Sequence, residues 1–570
     1  MTAKHLVFGV DGADLSVVQA IGPGGMPAFH RFMNEGAFAK SRSVLPPATL
    51  PNWSSFLTGV NPGKHGVVDF TLRRGYDVSF TAGTIREVPT VATHLDRAGL
   101  RVACVGFPAT WPPEKLKHGV FISGWDSPVA FEADRSFVWP PDLYDRIRQR
   151  FGTPSFDDVD EFHSDRPGWI EALADRLTAR IERKTELASW LLRQGPWDLF
   201  AFYFGETDTA AHHLWSVHDP DSPRRPLALR GDAVEGAHPT GLERVYQAID
   251  RAVGRLTREG RGEVTVISDH GSGGSSDRVL YLNRVLEETG FLRFRSRSPI
   301  APAASFAKRL ALRGLPPGLR ERLFRLGGAA LPSWLESRSR FGPIDWSGTR
   351  VFSDELNYFP ALHVNLRGRE PEGTVDPKEL PRLGAELRAT LLSLRDPWDG
   401  NPIVRTVFTR EELFHGPHTD RAPDFLLDLH LAHNYSYNLM PTASAPPGTG
   451  PFRRLAEGEW LGKKGRSLPG SHRDLGLFIA HGSSVMAAGE IDMALLDATP
   501  TLLARMGQPV PPHMDGRVLW EILDLAALDA AASRSPTPPS TLSSPGTEPK
   551  SDRGKEGRVA ARLRALGYIE

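Results

Sequence analysis

Five separated stretches of the 570-residue chain put metal-ligand side chains at or near the ends of apolar runs. Asp11 directly follows HLVFGV. Thr49 precedes Leu50-Pro51 in PPATLPNWSSFLTG, where helix character begins. It would therefore sit near a helix N-terminus, which favours an anion. Asp208 and His212 in ETDTAAHH are four apart, so on a helical turn they face one way. VISDHGSGG reads as a strand delivering Asp269 and His270 into a glycine-rich loop. His472, in LPGSHRDLGLFIA, lies in a loop before its strand, so a strand-end rule does not place it. The inventory is three carboxylates, three imidazoles and one hydroxyl. Mixed carboxylate and imidazole donors suit zinc, and manganese less tightly. Singly, each piece has a plainer reading as a turn former, a helix cap or a surface pair.

The elements that must position these groups alternate in type. HLVFGV (5–10), RVACVGF, WDLFAFYFG (197–205) and EVTVIS (263–268) read as buried strands. Residues 27–36, the segment VATHLDRAG, 168–195 and 241–260 read as helices with glycine stops. Strands alternating with helices imply an α/β fold with a mostly parallel sheet flanked by helices on both faces. In such sheets, sites lie outside the carboxyl ends of the strands. The stretch 275–455 is rich in Arg, Pro and Gly and reads as an inserted cap. Strand patterns return at 424–430 and 475–482, and 499–507 reads as a last core helix. Residues 531–552 have the composition of a disordered linker. The tail after it has helical spacing.

Taken in order, the motifs resemble the alkaline phosphatase superfamily, nearest its type I phosphodiesterase and nucleotide pyrophosphatase branch. The matching stretches are GVDGAD, PPATLPNWSSFLTGVNPGKHGV, ETDTAAHH, ISDHGSGG and GSHRDLGLFIAHG. Further likenesses are YLNRVLEETGFL, VNLRGREPEG, APDFLLDLH, DATPTLLARMGQPVPPHMDGRVL and the closing RALGYIE. The resemblance implies an alkaline phosphatase-like core over 1–274, completed by 456–530. The cap, with some core strands, is then 275–455, the linker 531–552 and a C-terminal helix 553–570. It implies two divalent metal ions, zinc or manganese. Asp208, His212 and His472 would hold one. Asp11, Asp269 and His270 would hold the other, with Thr49 beside it as nucleophile. The expected activity is hydrolysis of phosphodiester or nucleotide pyrophosphate bonds in a small-molecule phosphate ester. Phosphomonoesterase, phosphonate hydrolase and phosphoglycerate mutase-like activities are the alternatives within the superfamily. A non-catalytic metal-binding signalling or scaffold protein is the alternative outside it.

Some residues depart from that pattern or stay outside it. Relatives carry a phosphoryl-contacting asparagine shortly after the HG of their motif, where HGVVDF offers Asp69 and Phe70. Asn52 is a conceivable substitute, with loop hydrogen bonding the plainer reading. Thr49-Leu50-Pro51-Asn52-Trp53 lacks both the cysteine or serine and the arginine of a sulfatase motif. Lys64, His65, His213, His218 and His481 are left out of the ligand set as structural or solvated residues. The basic stretch 306–328 is either a surface for a polyanion or two amphipathic helices with solvated faces.

Composition narrows the rest. Lysine and arginine number 68 and aspartate and glutamate 68, for zero net charge, which argues against nucleic-acid coating. The single cysteine, Cys104, excludes an internal disulfide and a Cys-rich zinc site. No stretch approaches the ~18–20 apolar residues of a membrane span. A soluble cytoplasmic protein is expected, with its oligomeric state left open.

Overall fold

The structure is a computed structural model. It describes residues 3–80, 85–124, 134–152, 168–226, 240–295, 341, 343–355, 359–462 and 467–532. The basic stretch 306–328, the linker 531–552 beyond residue 532, and the tail 553–570 lie outside the described residues.

The chain begins with β1 (Ala3–Val10), α1 (Leu15–Gly25), α2 (Pro27–Glu35), β2 (Ala37–Arg42), α3 (Thr49–Thr58) and α4 (Pro62–His65). A hairpin, β3 (Thr71–Arg74) and β4 (Asp77–Phe80), precedes α5 (Val91–Arg97), β5 (Val102–Val105), β6 (Val120–Ile122) and β7 (Val138–Trp139). Next come α6 (Asp142–Phe151), α7 (Trp169–Leu192), β8 (Trp197–Phe204), α8 (Glu206–His218), α9 (Gly241–Gly260) and β9 (Glu263–Ile267). The second half holds β10 (Gly271–Leu280), α10 (Leu282–Glu288), β11 (Val351–Phe352), β12 (Ala361–Val364), α11 (Leu380–Leu392) and β13 (Val404–Thr409). After α12 (Arg410–Leu413) come β14 (Phe425–Leu429), β15 (Ser436–Leu439), β16 (Phe452–Arg454), β17 (Gly470–Arg473), β18 (Leu475–His481) and β19 (Gly489–Glu490). The last described helices are α13 (Ala498–Arg505) and α14 (Leu525–Ala532).

Nine strands form the central sheet in the order β19-β2-β18-β9-β1-β8-β5-β6-β7. Most neighbours are parallel, and β18 runs antiparallel to both β2 and β9. The fold is the expected one: α/β, with helices on both faces. Side chains alternate along a strand. Leu6, Phe8 and Val10 of β1 therefore pack with α1, α2, α7, α8 and α9, while Val7 packs with α3, α5 and α13. Burial of both faces explains why these strands read as continuous apolar runs. Cys104 is a buried residue of β5 with a free thiol.

The strand pattern at 424–430, read as a return to the core, lies elsewhere. β14 joins β11, β12 and β13 in a separate four-stranded sheet, whose core includes Leu383, Leu387 and Leu391 of α11. The glycine-rich run after His270 is also not a loop. It is β10, paired antiparallel with β17 through Gly271–Gly274. Those glycines are small because neighbours press on the strand. A Cβ at Gly273 would lie 2.6 Å from the Arg473 guanidinium, and one at Gly274 2.7 Å from the Tyr435 ring.

The far end of α3 is clasped by Asp515. Its carboxylate accepts hydrogen bonds from Asn61 N (2.8 Å), Asn61 Nδ2 (2.9 Å) and the Lys64 ammonium. Burial pushes the Asp515 carboxyl up, but Lys64, Asn61 and His415 outweigh it and hold it down at about 2. A carboxyl held below its unfolded value stabilises the fold above that unfolded pKa, near 4, and loses this as pH falls through 2. Asp515→Asn is expected to cost about 1–2 kcal/mol at pH 7 and much less at pH 2. Urea midpoints measured across that range check it.

Candidate active site

The three parallel strands β9, β1 and β8 are adjacent, and each ends at a chemistry-bearing residue. Asp11 follows β1, with its N–H donating to Phe204 O at the end of β8 (2.9 Å). Asp208 and His212 lie on α8, directly after β8. Asp269 and His270 follow β9. His472 was expected in a loop but lies in β17, just before β18. Because β18 runs against β9, its beginning lies beside the end of β9, where Ser268 N donates to Leu477 O (2.8 Å). The antiparallel turn of one strand thus brings His472 to the other five groups.

Two sets of ligand atoms result, each drawn together within 4.8 Å: Asp208, His212 and His472, and Asp11, Asp208 and His270. Asp208 belongs to both. Asp208 Oδ1 lies 3.3 Å from His212 Nε2 and 3.5 Å from His472 Nε2. His270 Nε2 lies 3.3 Å from Asp269 Oδ2 and 3.5 Å from Asp11 Oδ1. The His270 and His472 rings stack at 3.7 Å. Gly12, at φ +62°, lets the chain after Asp11 pass Asp208. A Cβ there would lie 3.1 Å from the Asp208 backbone.

Backbone carbonyls orient all three imidazoles. His212 Nδ1 donates to Gly470 O (3.0 Å), His270 Nδ1 to Gly271 O (3.0 Å) and His472 Nδ1 to Pro47 O (2.7 Å). With the proton on Nδ1, each Nε2 presents a lone pair to the centre. His212 Nε2 and His472 Nε2 face each other at 3.0 Å. Asp11 Oδ1, Asp269 Oδ2 and His270 Nε2 are buried and have no hydrogen-bond partner. Acceptors gathered without donors fit a divalent cation, and a second N–H held by a carbonyl is the usual support of a metal-ligating histidine.

The electrostatics agree. Burial, then the Asp208 charge, pushes the Asp11 carboxyl up to about 8 against the donors on its other oxygen. Burial and Asp11 push Asp269 well up. Burial and His472 hold His270 well below the usual histidine range, and burial holds His472 at about 4 although Asp208 opposes it. Crowded carboxylates and proton-refusing imidazoles are both relieved by a bound cation.

Thr49 is the first residue of α3 and is 6% exposed. Its hydroxyl has no hydrogen-bond partner among the described residues. Two contacts tie its turn to the cluster. His472 bonds Pro47, two residues before it. Trp53, one turn after it, donates Nε1–H to Asp11 Oδ2 (2.9 Å). Asn52 is fully buried and serves the loop. Its Oδ1 accepts from Val44 N (2.8 Å), and its Nδ2 donates to Pro46 O and Ala48 O (both 2.9 Å). That loop bonding fixes the backbone leading into Thr49.

Tyr203 lies outside the motifs of the sequence. Its hydroxyl donates to Asp11 Oδ2 (2.6 Å), so with Trp53 it occupies that oxygen and leaves Oδ1 for the centre. The available signal was a polar-tipped ring near the end of an otherwise apolar strand. Tyr203→Phe is expected to lower kcat about tenfold and stability by about 1–2 kcal/mol. Unchanged kcat and Tm would argue that the bond is idle.

The histidines left out of the ligand set have other contacts. His65 bonds Ser55 and Val67 N, His213 packs on Trp169, His218 bonds Thr240 and His481 bonds Glu35. Lys64 pairs with Asp515. Asp69 is buried, and burial pushes its carboxyl up to about 8 against a hydrogen bond from Phe70 N, with Asp354 adding to the rise.

A mostly parallel sheet with carboxylates and imidazoles gathered at its strand ends defines an α/β protein with a candidate metal centre. The family described as type I phosphodiesterase / nucleotide pyrophosphatase matches residues 5–444, and the chain belongs to it. It is a phosphoric ester hydrolase of that type. His472 lies beyond the matched residues. No curated protein sequence matches the chain. Among solved structures, murine ectonucleotide pyrophosphatase / phosphodiesterase 5 is 15% identical, covering 91% of this chain and 100% of that one at a TM-score of 0.45. An inactive variant of it in complex with AMP gives 15%, 92%, 100% and 0.45. Phosphonoacetate hydrolase from Sinorhizobium meliloti, in complex with phosphonoformate, gives 17%, 87%, 94% and 0.48. No helix among the described residues is long and apolar enough to cross a membrane.

Proposed function

We propose that the chain hydrolyses phosphodiester or nucleotide pyrophosphate bonds of small molecules, with Thr49 as nucleophile and two divalent cations, zinc or manganese, as cofactors. The observation that carries this is the set of three imidazoles held at Nδ1 by backbone carbonyls, with their Nε2 atoms turned toward the carboxylates of Asp11, Asp208 and Asp269. Asp208, His212 and His472 would hold one ion. Asp11, Asp269 and His270 would hold the other, beside Thr49. When bound, the ions supply positive charge that eases loss of the Thr49 proton and stabilises the departing oxygen.

Thr49 Oγ1 attacks phosphorus. A bond to the threonine oxygen forms as the bond to the leaving oxygen breaks. Water then cleaves the phosphothreonine and restores the hydroxyl. The Thr49 and Leu50 N–H groups begin α3 and have no intrahelical acceptor, so they are available to a phosphoryl oxygen. His472 and Asn52 keep the preceding loop in place through Pro46, Pro47 and Ala48. We take 275–455 as the cap that selects the ester.

Metal removal tests the reading directly. Chelated protein reloaded with zinc or manganese should bind about two equivalents and regain hydrolysis of bis(para-nitrophenyl) phosphate. Stripping should lower stability by about 3 kcal/mol at saturating metal. Protein that takes up neither ion, or takes them up and cleaves no ester, sinks the reading.

A further inference from the structure

Arg224 lies shortly after α8 and is fully buried. Its acceptors among the described residues are uncharged. Nε donates to Trp460 O (2.8 Å), Nη1 to Leu468 O (2.6 Å) and Asn438 Oδ1 (3.2 Å), and Nη2 to Glu459 O (3.4 Å). The Glu459 carboxylate is itself paired with Arg453 (2.8 Å). Burying a cation is costly, and carbonyl acceptors offset only part of the cost. An apolar side chain would fill the same space without it. What the guanidinium adds is a rigid planar fork that fixes several carbonyls at set distances from one point.

Both pieces of chain joined by this fork lead to the centre. On one side, Arg225 Nη1 donates to Val217 O (3.0 Å) and Asp219 O (3.5 Å). That fastens the backbone of Arg224 to the last turn of α8, the helix carrying Asp208 and His212. On the other side, Leu468 leads directly into Gly470 and His472 of β17. Gly470 O accepts from His212 Nδ1 (3.0 Å), and His472 Nε2 faces His212 Nε2 at 3.0 Å. Gly470 packs so closely on α8 that a Cβ would overlap Ala211 O. Arg224 thus ties the chain leaving α8 to the chain entering β17, the two pieces that supply Asp208, His212 and His472. Asp11 and Asp269 follow β1 and β9, whose ladder Arg224 does not enter.

We propose that Arg224 is a positioning residue for the ion held by Asp208, His212 and His472: by fixing β17 against α8 it sets the spacing of those three ligands without touching the ion. The inference rests on the two-ion reading above and deepens it, because it ties one of the two affinities to a residue outside both ligand sets. Outer groups that hold a ligand in place tune metal affinity about 10- to 100-fold, since a small displacement of one donor weakens its bond to the ion.

The test measures bound zinc after dialysis against a buffered series of free zinc, with melting curves on the stripped proteins. Wild type should hold about two equivalents. Arg224→Lys keeps the charge but loses the fork. It should bind one ion at least about tenfold more weakly and the other within about threefold of wild type. Asp269→Asn should already lack the other ion, so adding Arg224→Lys to it should weaken the remaining one by the same factor. Arg505→Lys is the comparison. It removes a buried fork bonded to Val264 O (3.2 Å) and His481 O (3.1 Å), at the ends of β9 and β18 away from the centre. It should lower Tm and leave both affinities unchanged. If Arg224→Lys likewise lowers Tm alone, or weakens both ions equally, the inference is overturned. Wild type that binds no zinc sinks the two-ion reading and this inference together, whereas two unaltered affinities in Arg224→Lys sink this inference alone. If Arg224→Lys does not fold, hydrogen exchange on wild type decides. Zinc should slow the amides of 222–225 and 459–462, segments that Arg224 connects to the ligands, and unchanged exchange there overturns the inference.

Discussion

Thr49→Ala should lower kcat for a phosphodiester by about ten-thousandfold while leaving metal content and Tm nearly unchanged. The expected loss is large because the carboxylates and imidazoles of the centre belong to the proposed ligand sets, and the Tyr203 hydroxyl beside them is bonded to Asp11 Oδ2. The small structural effect follows from its surroundings. The Thr49 hydroxyl gives up no hydrogen bond within the described residues, and the α3 start is held by Asn52 and by Trp53 on Asp11. Alanine is also a strong helix former at that position. Steady-state kinetics, metal analysis and a melting curve on the same preparation check all three expectations. Activity within tenfold of wild type would remove Thr49 from the reaction.

Asp269→Asn has the second largest expected effect, and its sign differs between the stripped and the loaded protein. Asp269 Oδ1 accepts from Gly12 N (3.2 Å), a bond the amide oxygen can keep. Oδ2 has no hydrogen-bond partner and lies 3.3 Å from His270 Nε2, which presents a lone pair. An amide NH2 in place of Oδ2 would donate to that nitrogen and remove a buried charge beside Asp11. The metal-free variant should therefore melt at or above metal-free wild type. A cation at the same place loses a charged ligand and meets an N–H. Metal affinity should fall at least about a hundredfold, and kcat with it. A variant that retains both ions and full activity would contradict the assigned role.

The two variants separate chemistry from binding. Thr49→Ala should keep the ions and lose the reaction, whereas Asp269→Asn should lose an ion and melt no lower than wild type when stripped. A merely structural pair of residues would show neither pattern.

Much of this architecture was legible in the residues. β1, β8 and β9 are continuous apolar runs because both faces of a parallel sheet are covered, and their ends pointed to Asp11, Asp208 and Asp269. The four-residue spacing of Asp208 and His212 fitted one helical face, and α8 carries them so. The glycines after His270 misled. Gly273 and Gly274 have the composition of a loop, yet they belong to a strand whose neighbours, Arg473 and Tyr435, leave no room for a Cβ. The strand at 424–430 was visible as a strand but not its sheet, because an apolar run of five residues does not specify which edge it pairs with.

The order of residues along the chain determined the kinds of ligand, most of the strand ends and the threonine at a helix start, because local periodicity and turn chemistry act over a few residues. Tertiary structure alone decided the rest. It reversed β18 against β9, which carried His472 to the centre from more than 200 residues away. It turned the Nδ1 of three histidines onto Gly470, Gly271 and Pro47, and it set Tyr203 and Trp53 on one oxygen of Asp11. Those outcomes depend on strand direction and on contacts between distant segments, which no short window of residues contains.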